Sequence, residues 1–485
     1  MGIKIAFVTG PEENLGIKYL SAALKKHDHQ TALFIDPQLF RDEILSIKSL
    51  GKIFDSREKV VRDVISYKPD MIGFSVCTDF SKWAQDLALK IKEKADIPII
   101  FGGIHPTSIP EEVIRQGAVD MICIGEGESP VLELAESFWK KTNRTDIRNI
   151  WFKRDGRIIK NPLRPLADVN ALPFPDHGLY SGKDNGYFNI GYHTIASRGC
   201  PYRCSYCCHS VIKGLYGAKE YYRVRNPVNL IEELEVAKKK YAFKIIRFYD
   251  DIFPHDERWL EEFSDLYRTK IRLPFICYLH PGLVNERRVS MLKEAGCSEI
   301  RLGIQTLNPD IRKNILHRNE TDEVIERAFL TIKKKGIKVV TENILGLPHE
   351  KDSDVVQMMR FYNIHRPTRN HFFWLRYYPG LEIVAHKEIP KSEPGMSQSA
   401  SVFTQGGDTY RTANRQLIIA LHLLPFFPKG IMKFIIDHKV WRFLPAWSSP
   451  WFLNFIANIT SRSDSDKIWR SRTAKRYFAF MTGLS

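Results

Sequence analysis

The first 138 residues alternate between short apolar runs and amphipathic stretches. Runs of β-branched, aliphatic and aromatic residues at 4–8, 31–35, 71–76, 97–101 and 121–124 predict buried strands. Between them, patterns over 15–26, 57–66, 82–94 and 110–117 predict helices. Strands alternating with helices at this spacing predict a parallel, doubly wound sheet covered on both faces. From 139 to 190 the alternation breaks, and Pro162, Pro165, Pro173 and Pro175 among charges and glycines predict an irregular connector. It resumes with strands predicted over 192–197, 244–249, 275–279, 299–304, 338–344 and 371–377. Helices are predicted over 228–241, 257–269, 286–295, 322–335 and 352–364. Six such units predict a partial (β/α)6 TIM-like barrel with its site at the C-terminal ends of the strands. Beyond 390 the pattern turns polar and then helical and aromatic. The chain reads as α/β, with a Rossmann-like domain at 1–140, a connector at 141–190, a barrel at 191–390 and a helical C-terminal region at 391–485.

Composition adds little to the fold but narrows the partners. The 485 residues are 44% hydrophobic and 26% charged, which excludes collagen, low-complexity disorder and small disulfide scaffolds. The net charge of +16 is uneven: −2 over 1–145, +10 over 146–390 and +8 over 391–485. A basic middle and tail permit nucleic acid, phosphate or an anionic membrane face without selecting among them. No signal-like segment precedes the first strand run, which predicts a cytoplasmic protein. There the eight cysteines are expected as thiols or metal ligands, not disulfides. No uninterrupted apolar stretch reaches the ~18 residues of a spanning helix.

Candidate chemistry gathers at predicted strand ends. In the first domain these carry Thr9-Gly10, Ser75 to Thr78, Gly102-Gly103 and Gly125-Glu-Gly-Glu128. Small residues there let backbone approach a ligand, and equally serve tight turns. The sharpest motif is Ser197-Arg-Gly-Cys200-Pro-Tyr-Arg-Cys204-Ser-Tyr-Cys207, three cysteines at CxxxCxxC spacing after an apolar strand. Thiolates in that pattern suit an iron–sulfur cluster or zinc. Cys208 and His209 keep zinc open, although neighbouring residues such as Cys207 and Cys208 rarely aim at one ion.

The cysteine loop, with the aromatic Tyr206 before its third cysteine, resembles the signature of the radical S-adenosylmethionine superfamily. Asp250-Asp251, Arg301-Leu-Gly-Ile-Gln305-Thr306, Asn343-Ile-Leu-Gly-Leu-Pro348 and Tyr378-Pro-Gly380 extend the resemblance. The N-terminal region, with Gly102-Gly-Ile-His-Pro106 and Gly125-Glu-Gly-Glu128, resembles the cobalamin-binding domain found before such barrels. Together the likeness covers about residues 1–390. It implies a 4Fe–4S cluster on Cys200, Cys204 and Cys207, S-adenosylmethionine on the open iron, and a 5′-deoxyadenosyl radical after electron transfer. It implies Asp250, with Asp251 as the alternative, for the methionyl amine, Arg301 for the carboxylate, Gln305 for the ribose, and Asn343 as a further S-adenosylmethionine contact. For cobalamin it implies Ser75, Thr78, Gly102, Gly103, Gly125 and Glu126. The stretch Thr9-Gly-Pro-Glu-Glu-Asn-Leu-Gly16 lacks the histidine of cobalt-ligating relatives, and His105 is not assigned as a ligand. The implied activity is C-methyl transfer to an unactivated carbon, with no catalytic residue assigned. A flavodoxin or ferredoxin would donate electrons, the substrate would be a small molecule or lipid, and no nucleic acid is expected. The alternatives are a radical cyclase or carbon–carbon bond-former on a lipid or tetrapyrrole, a tRNA methylthiotransferase, and a non-catalytic iron–sulfur or cobalamin sensor. The methylthiotransferase would require three further cluster cysteines in the first domain, which holds Cys77 and Cys123 alone.

The C-terminal region interleaves Trp441, Trp447, Trp451 and Trp469 with Lys429, Lys433, Lys439, Arg442 and Arg462, and prolines at 425, 428, 445 and 450 divide it. Its two readings are a helical cap on the barrel and a surface resting peripherally on the inner face of the membrane.

Overall fold

The computed structural model describes residues 2–41, 47–180, 191–217, 220–385, 415–444 and 461–481. The first sheet contains β1 (Lys4–Thr9), β2 (Gln30–Ile35), β3 (Met71–Ser75), β4 (Ile99–Gly102), β5 (Met121–Cys123), β6 (Ile150–Arg154) and β7 (Arg157–Ile159), in the order β2-β1-β3-β4-β5-β6-β7. β1 to β5 are parallel. Alternate side chains of β1 feed two cores, as a sheet buried on both faces requires. Ala6 and Val8 pack with Val61 and Leu87 from the helices Arg57–Ser66 and Ser81–Lys92. Ile5 and Phe7 pack with Ile17 and Val131 from the helices Leu15–Lys25 and Glu128–Trp139.

Part of the expected irregular connector is regular. β6 and β7 form a hairpin that extends the sheet antiparallel from β5. Asp155 and Gly156 both have positive φ, 48° and 72°, which is the backbone of an Asp-Gly hairpin turn. The prolines that suggested disorder of pattern begin just beyond, at Pro162.

The second sheet has six parallel strands in the order β15-β14-β13-β12-β11-β8. These are β8 (Tyr192–Thr194), β11 (Ile246–Phe248), β12 (Phe275–Leu279), β13 (Cys297–Gln305), β14 (Lys338–Leu345) and β15 (Arg369–Trp374). β9 (Ser197–Arg198) and β10 (Arg223–Val224) form a separate two-residue ladder around the cysteine loop. Along β13, Ile300, Leu302 and Ile304 join the core shared with the outer helices. Glu299 and Arg301 point the other way, into the lumen of the curved sheet. No ladder joins β15 to β8, so the described barrel has an open seam.

The C-terminal region closes that seam and covers one outer flank. Leu417, Leu421, Met432, Ile436 and Trp441 join the barrel core, as a cap would. Trp447 and Trp451 lie outside the described residues, as does the stretch 386–414. The last helix, Asp464–Met481, is polar and nevertheless sits on buried partners. Glu299 accepts from the Asp464 N–H at 2.6 Å and from the Ser465 hydroxyl, capping the helix start. Asp466 faces Arg369 at 3.3 Å and His371 at 3.4 Å. Arg472 donates to the Gly191 carbonyl at 3.2 Å and pairs with Glu13 of the first domain at 2.6 Å. The helix therefore runs from β13 and β15 across to the start of β8.

Burial alone would raise the Asp466 carboxyl, but His371 and Arg369 pull it far below the usual range. A depressed carboxylate contributes stability above its unfolded value, which is lost as pH falls below about 4. Asp466→Ala, which leaves Arg369 and His371 facing a vacant position, should lower unfolding free energy by about 3 kcal/mol, read from urea denaturation. The acid-side loss seen in the native chain should shrink in the same variant.

Candidate active site between the two sheets

The C-terminal strand ends of the first sheet meet the barrel at several fixed points. Arg198, two residues before Cys200, pairs with Glu128 at 2.6 Å and Glu126 at 3.2 Å. Its guanidinium also lies over the Tyr19 ring at 4.9 Å. Arg223 holds Glu126 at 2.5 Å from the neighbouring strand β10. Further along the same edge, Asp79 accepts from the Tyr378 hydroxyl at 2.7 Å and pairs with Arg376. Gly125 has φ +76°, and a Cβ there would fall 1.9 Å from the Tyr216 hydroxyl, so the position admits glycine alone. Tyr216 ends the helix Cys208–Tyr216 that begins right after the third cysteine.

Under these clamps is a cavity of about 280 Å³. Ser75, Gly102, Gly103, Gly125 and Glu126 line it, as does Arg198 from the barrel side. Five of the six residues expected around cobalamin are thus gathered in one place. Thr78 is elsewhere: its hydroxyl meets His105 Nδ1 at 3.2 Å. Glu126 lines the cavity, but Arg198, Arg223 and the Ala167 N–H take its carboxylate, so it fastens the domains together. Burial lowers the His105 imidazole to about 4, which keeps it neutral.

The cysteine loop is anchored at both ends. Before it, buried Asp250 accepts from the Ala196 N–H at 3.0 Å and the Ser197 hydroxyl at 2.5 Å. This differs from the expected methionyl contact: the carboxylate ties down the chain entering the loop. Asp251 is exposed and meets His209 Nε2 at 2.7 Å. Gly199 has φ +84°, and a Cβ there would meet the Tyr221 carbonyl at 2.4 Å. Burial raises the Cys200 thiol to about 12, and the neighbouring Cys207 and Cys204 thiolates add to that rise. Three soft donors in one loop, each with its thiol pushed above its ordinary value, suit a shared cationic centre that would ionise them together. They fit a cluster. Arg318 and Tyr206 hydrogen-bond to Cys204 and partly offset the effect of its burial.

The structure brings Cys208 closer than its sequence position suggested. Ligand atoms of Cys207, Cys208 and His209 all fall within 4.8 Å of one another. Cys207 is extended and Cys208 starts a helix, so the chain bends between them and turns both thiols to one side. His209 is also held by Asp251 and by the Tyr221 hydroxyl.

The other expected contacts separate by strand parity. Gln305 ends β13 at the barrel mouth with φ +67°, beyond an irregularity in the β13–β14 register that re-aims it. Arg301 lies deeper in the lumen, paired with Glu342 at 2.8 Å and over the Tyr278 ring. Asn343 is corrected outright: it faces the outer helices, where the Tyr362 hydroxyl donates to it at 2.5 Å and it donates to the His371 carbonyl. Arg318, unmarked by any sequence motif, reaches the Gly303 carbonyl and Glu320, each at 2.6 Å, beside Cys204. His280, equally unmarked, lies 3.2 Å from Glu320 and stacks on Tyr202 of the cysteine loop. An arginine two residues before a glutamate in a polar loop carries no sequence signal for that position.

After anaerobic reconstitution, Cys200→Ala, Cys204→Ala and Cys207→Ala should each lose iron–sulfur visible absorbance, and Cys208→Ala should keep it. Equal loss in Cys208→Ala would point to the Cys207, Cys208 and His209 group as the metal site. Burial raises the Asp250 carboxyl to about 7 despite its donors. A raised folded value means stability is lost as pH rises through about 7. Asp250→Asn removes that titration, so its thermal midpoint should fall less than the native one between about pH 5 and pH 8.

A B12 binding domain profile matches residues 3–135, and a radical SAM superfamily profile matches residues 194–362. An uncharacterized methyltransferase of Pyrococcus horikoshii is 26% identical over 366 residues, 74% of each chain. An anaerobic magnesium-protoporphyrin IX monomethyl ester cyclase of Rubrivivax gelatinosus is 23% identical over 69% of this chain, which spans 59% of that protein. Among solved structures, the radical S-adenosylmethionine methyltransferase TsrM from Kitasatospora setae, with cobalamin and a [4Fe-4S] cluster bound, superposes with a TM-score of 0.62. The match covers 79% of this chain and 77% of that one at 17% identity, a likeness of fold. With both profiles in the same order as the two sheets, the chain carries a B12-binding domain followed by a radical SAM domain.

Proposed function

We propose that this chain transfers a methyl group to an unactivated carbon of a small organic substrate, using cobalamin and a radical S-adenosylmethionine centre. The observation that carries the reading is the Arg198 clamp. It fixes the glycine-edged cavity of the first domain to the loop holding Cys200, Cys204 and Cys207. Methyl carrier and radical source must act on one substrate, so the two binding loops have to be held in register. When bound, cobalamin would supply the methyl carrier and the cluster with S-adenosylmethionine would supply the 5′-deoxyadenosyl radical. The chain's own part is placement: the three cysteines would hold the cluster, the 102–103 and 125–126 backbone would seat the corrin, and Gln305 would meet the nucleoside at the barrel mouth. Asp250 and Arg318 would position the cysteine loop from either side. A small one-electron protein such as flavodoxin or ferredoxin would reduce the cluster. The methyltransferase relative supports methylation; the cyclase relative supports a second reading, ring closure on the same scaffold.

Anaerobic turnover with methyl-labelled S-adenosylmethionine and candidate lipid and tetrapyrrole extracts decides between them. A labelled, methylated product is expected; an unlabelled product lacking two hydrogens would establish the cyclase reading instead. Arg198→Gln should retain the iron–sulfur spectrum and reductive cleavage of S-adenosylmethionine, while product formation falls by about tenfold or more, as a small misplacement of paired reactants costs.

A further inference from the structure

The helix Lys429–Asp437 is apolar on two faces. Met432 and Ile436 are buried against the barrel core. Ile431 and Phe434, on the other side, are 48% and 56% exposed. A surface helix of a soluble domain ordinarily keeps its outward face polar. The outward apolar set continues through Phe426 and Phe427 before the helix and Phe443 after it, the last 86% exposed. Ile364, 62% exposed, lies on the neighbouring helix Asp352–His365, and its carbonyl accepts from Lys429 Nζ at 2.8 Å. None of these side chains belongs to the buried barrel core, and exposed apolar side chains concentrated in one short stretch of chain point to an interaction surface.

Its charge identifies the partner. Between 415 and 444 there are five Lys or Arg and one acidic residue, Asp437, which pairs with Arg360 at 3.0 Å. Lys433, Lys439 and Arg442 are exposed among the aromatic and aliphatic side chains. A protein partner's apolar groove would not call for a cationic rim of one sign. Phenylalanines ringed by lysine and arginine match a layer with an apolar interior and an anionic surface. Among the described residues, no helix is long and apolar enough to cross a membrane, so such contact would be in the plane of the interface. We propose that the face formed by Phe426, Phe427, Ile431, Phe434 and Phe443, with Lys433, Lys439 and Arg442, docks on an anionic lipid bilayer.

The test uses the full-length, anaerobically reconstituted protein, sedimented with vesicles of phosphatidylcholine alone or mixed with phosphatidylglycerol. Binding to the phosphatidylglycerol vesicles is expected at low salt, fading as ionic strength rises. The double variant Phe434→Ser with Phe443→Ser should weaken partitioning by about tenfold or more while its iron–sulfur absorbance stays native. Replacing Lys433, Lys439 and Arg442 with alanine should remove the preference for phosphatidylglycerol over phosphatidylcholine. Absence of vesicle binding by the native protein overturns the proposal, as does native-like binding by the double phenylalanine variant. A dimer in sedimentation equilibrium that the phenylalanine variant dissociates, without vesicle binding, would assign the face to a second copy of the chain instead.

Discussion

An open parallel sheet has two free edges, and this fold is arranged around hiding them. The barrel's six strands leave β8 and β15 unjoined, exposing a lumen lined by charged groups. An uncovered seam would admit water to that lumen and present unpaired backbone. The solution combines the C-terminal edge of the first sheet with one polar helix. Arg472 belongs to both arrangements, touching the start of β8 and Glu13 of the first domain. A polar helix is stable there because the surface it covers is polar: Glu299, Arg369 and His371 each find a partner on it.

The same covering sets the site. Once the first sheet's strand ends lie against the seam, the glycine loops and the cysteine loop have to face each other. Arg198 and Arg223 turn that proximity into fixed geometry, with Glu126 shared between them. Their ion pairs are largely shielded from solvent, so losing one partner would leave a charge that neither water nor protein satisfies. Tyr216 against Gly125 adds a contact that depends on shape, not charge.

Strand–helix alternation in the sequence was enough to anticipate both sheets, because continuous apolar runs are what two-sided burial demands. The Asp155-Gly156 turn carries a local signal too, masked by the prolines that follow it closely. The cysteine loop and the glycine-rich strand ends were legible for a different reason: their residue types have few structural uses in that spacing. Side-chain facing was not legible. In β14 the run Val339-Val-Thr-Glu-Asn-Ile-Leu345 mixes polar and apolar residues on both parities, so nothing local says that Glu342 looks inward and Asn343 outward. The partners of Arg198 and Asp250 were hidden as well, since each is set by the meeting of segments distant in sequence.

The seam helix also orders events in time. Chains emerge from the ribosome N-terminus first, and domains form as they appear. The strands of the barrel are all synthesised by Trp374, whereas the helix that closes them begins at Asp464. The position of Asp464–Met481 in the chain thus puts the contacts of Glu299 and Asp466 among the last to form as the chain is synthesised.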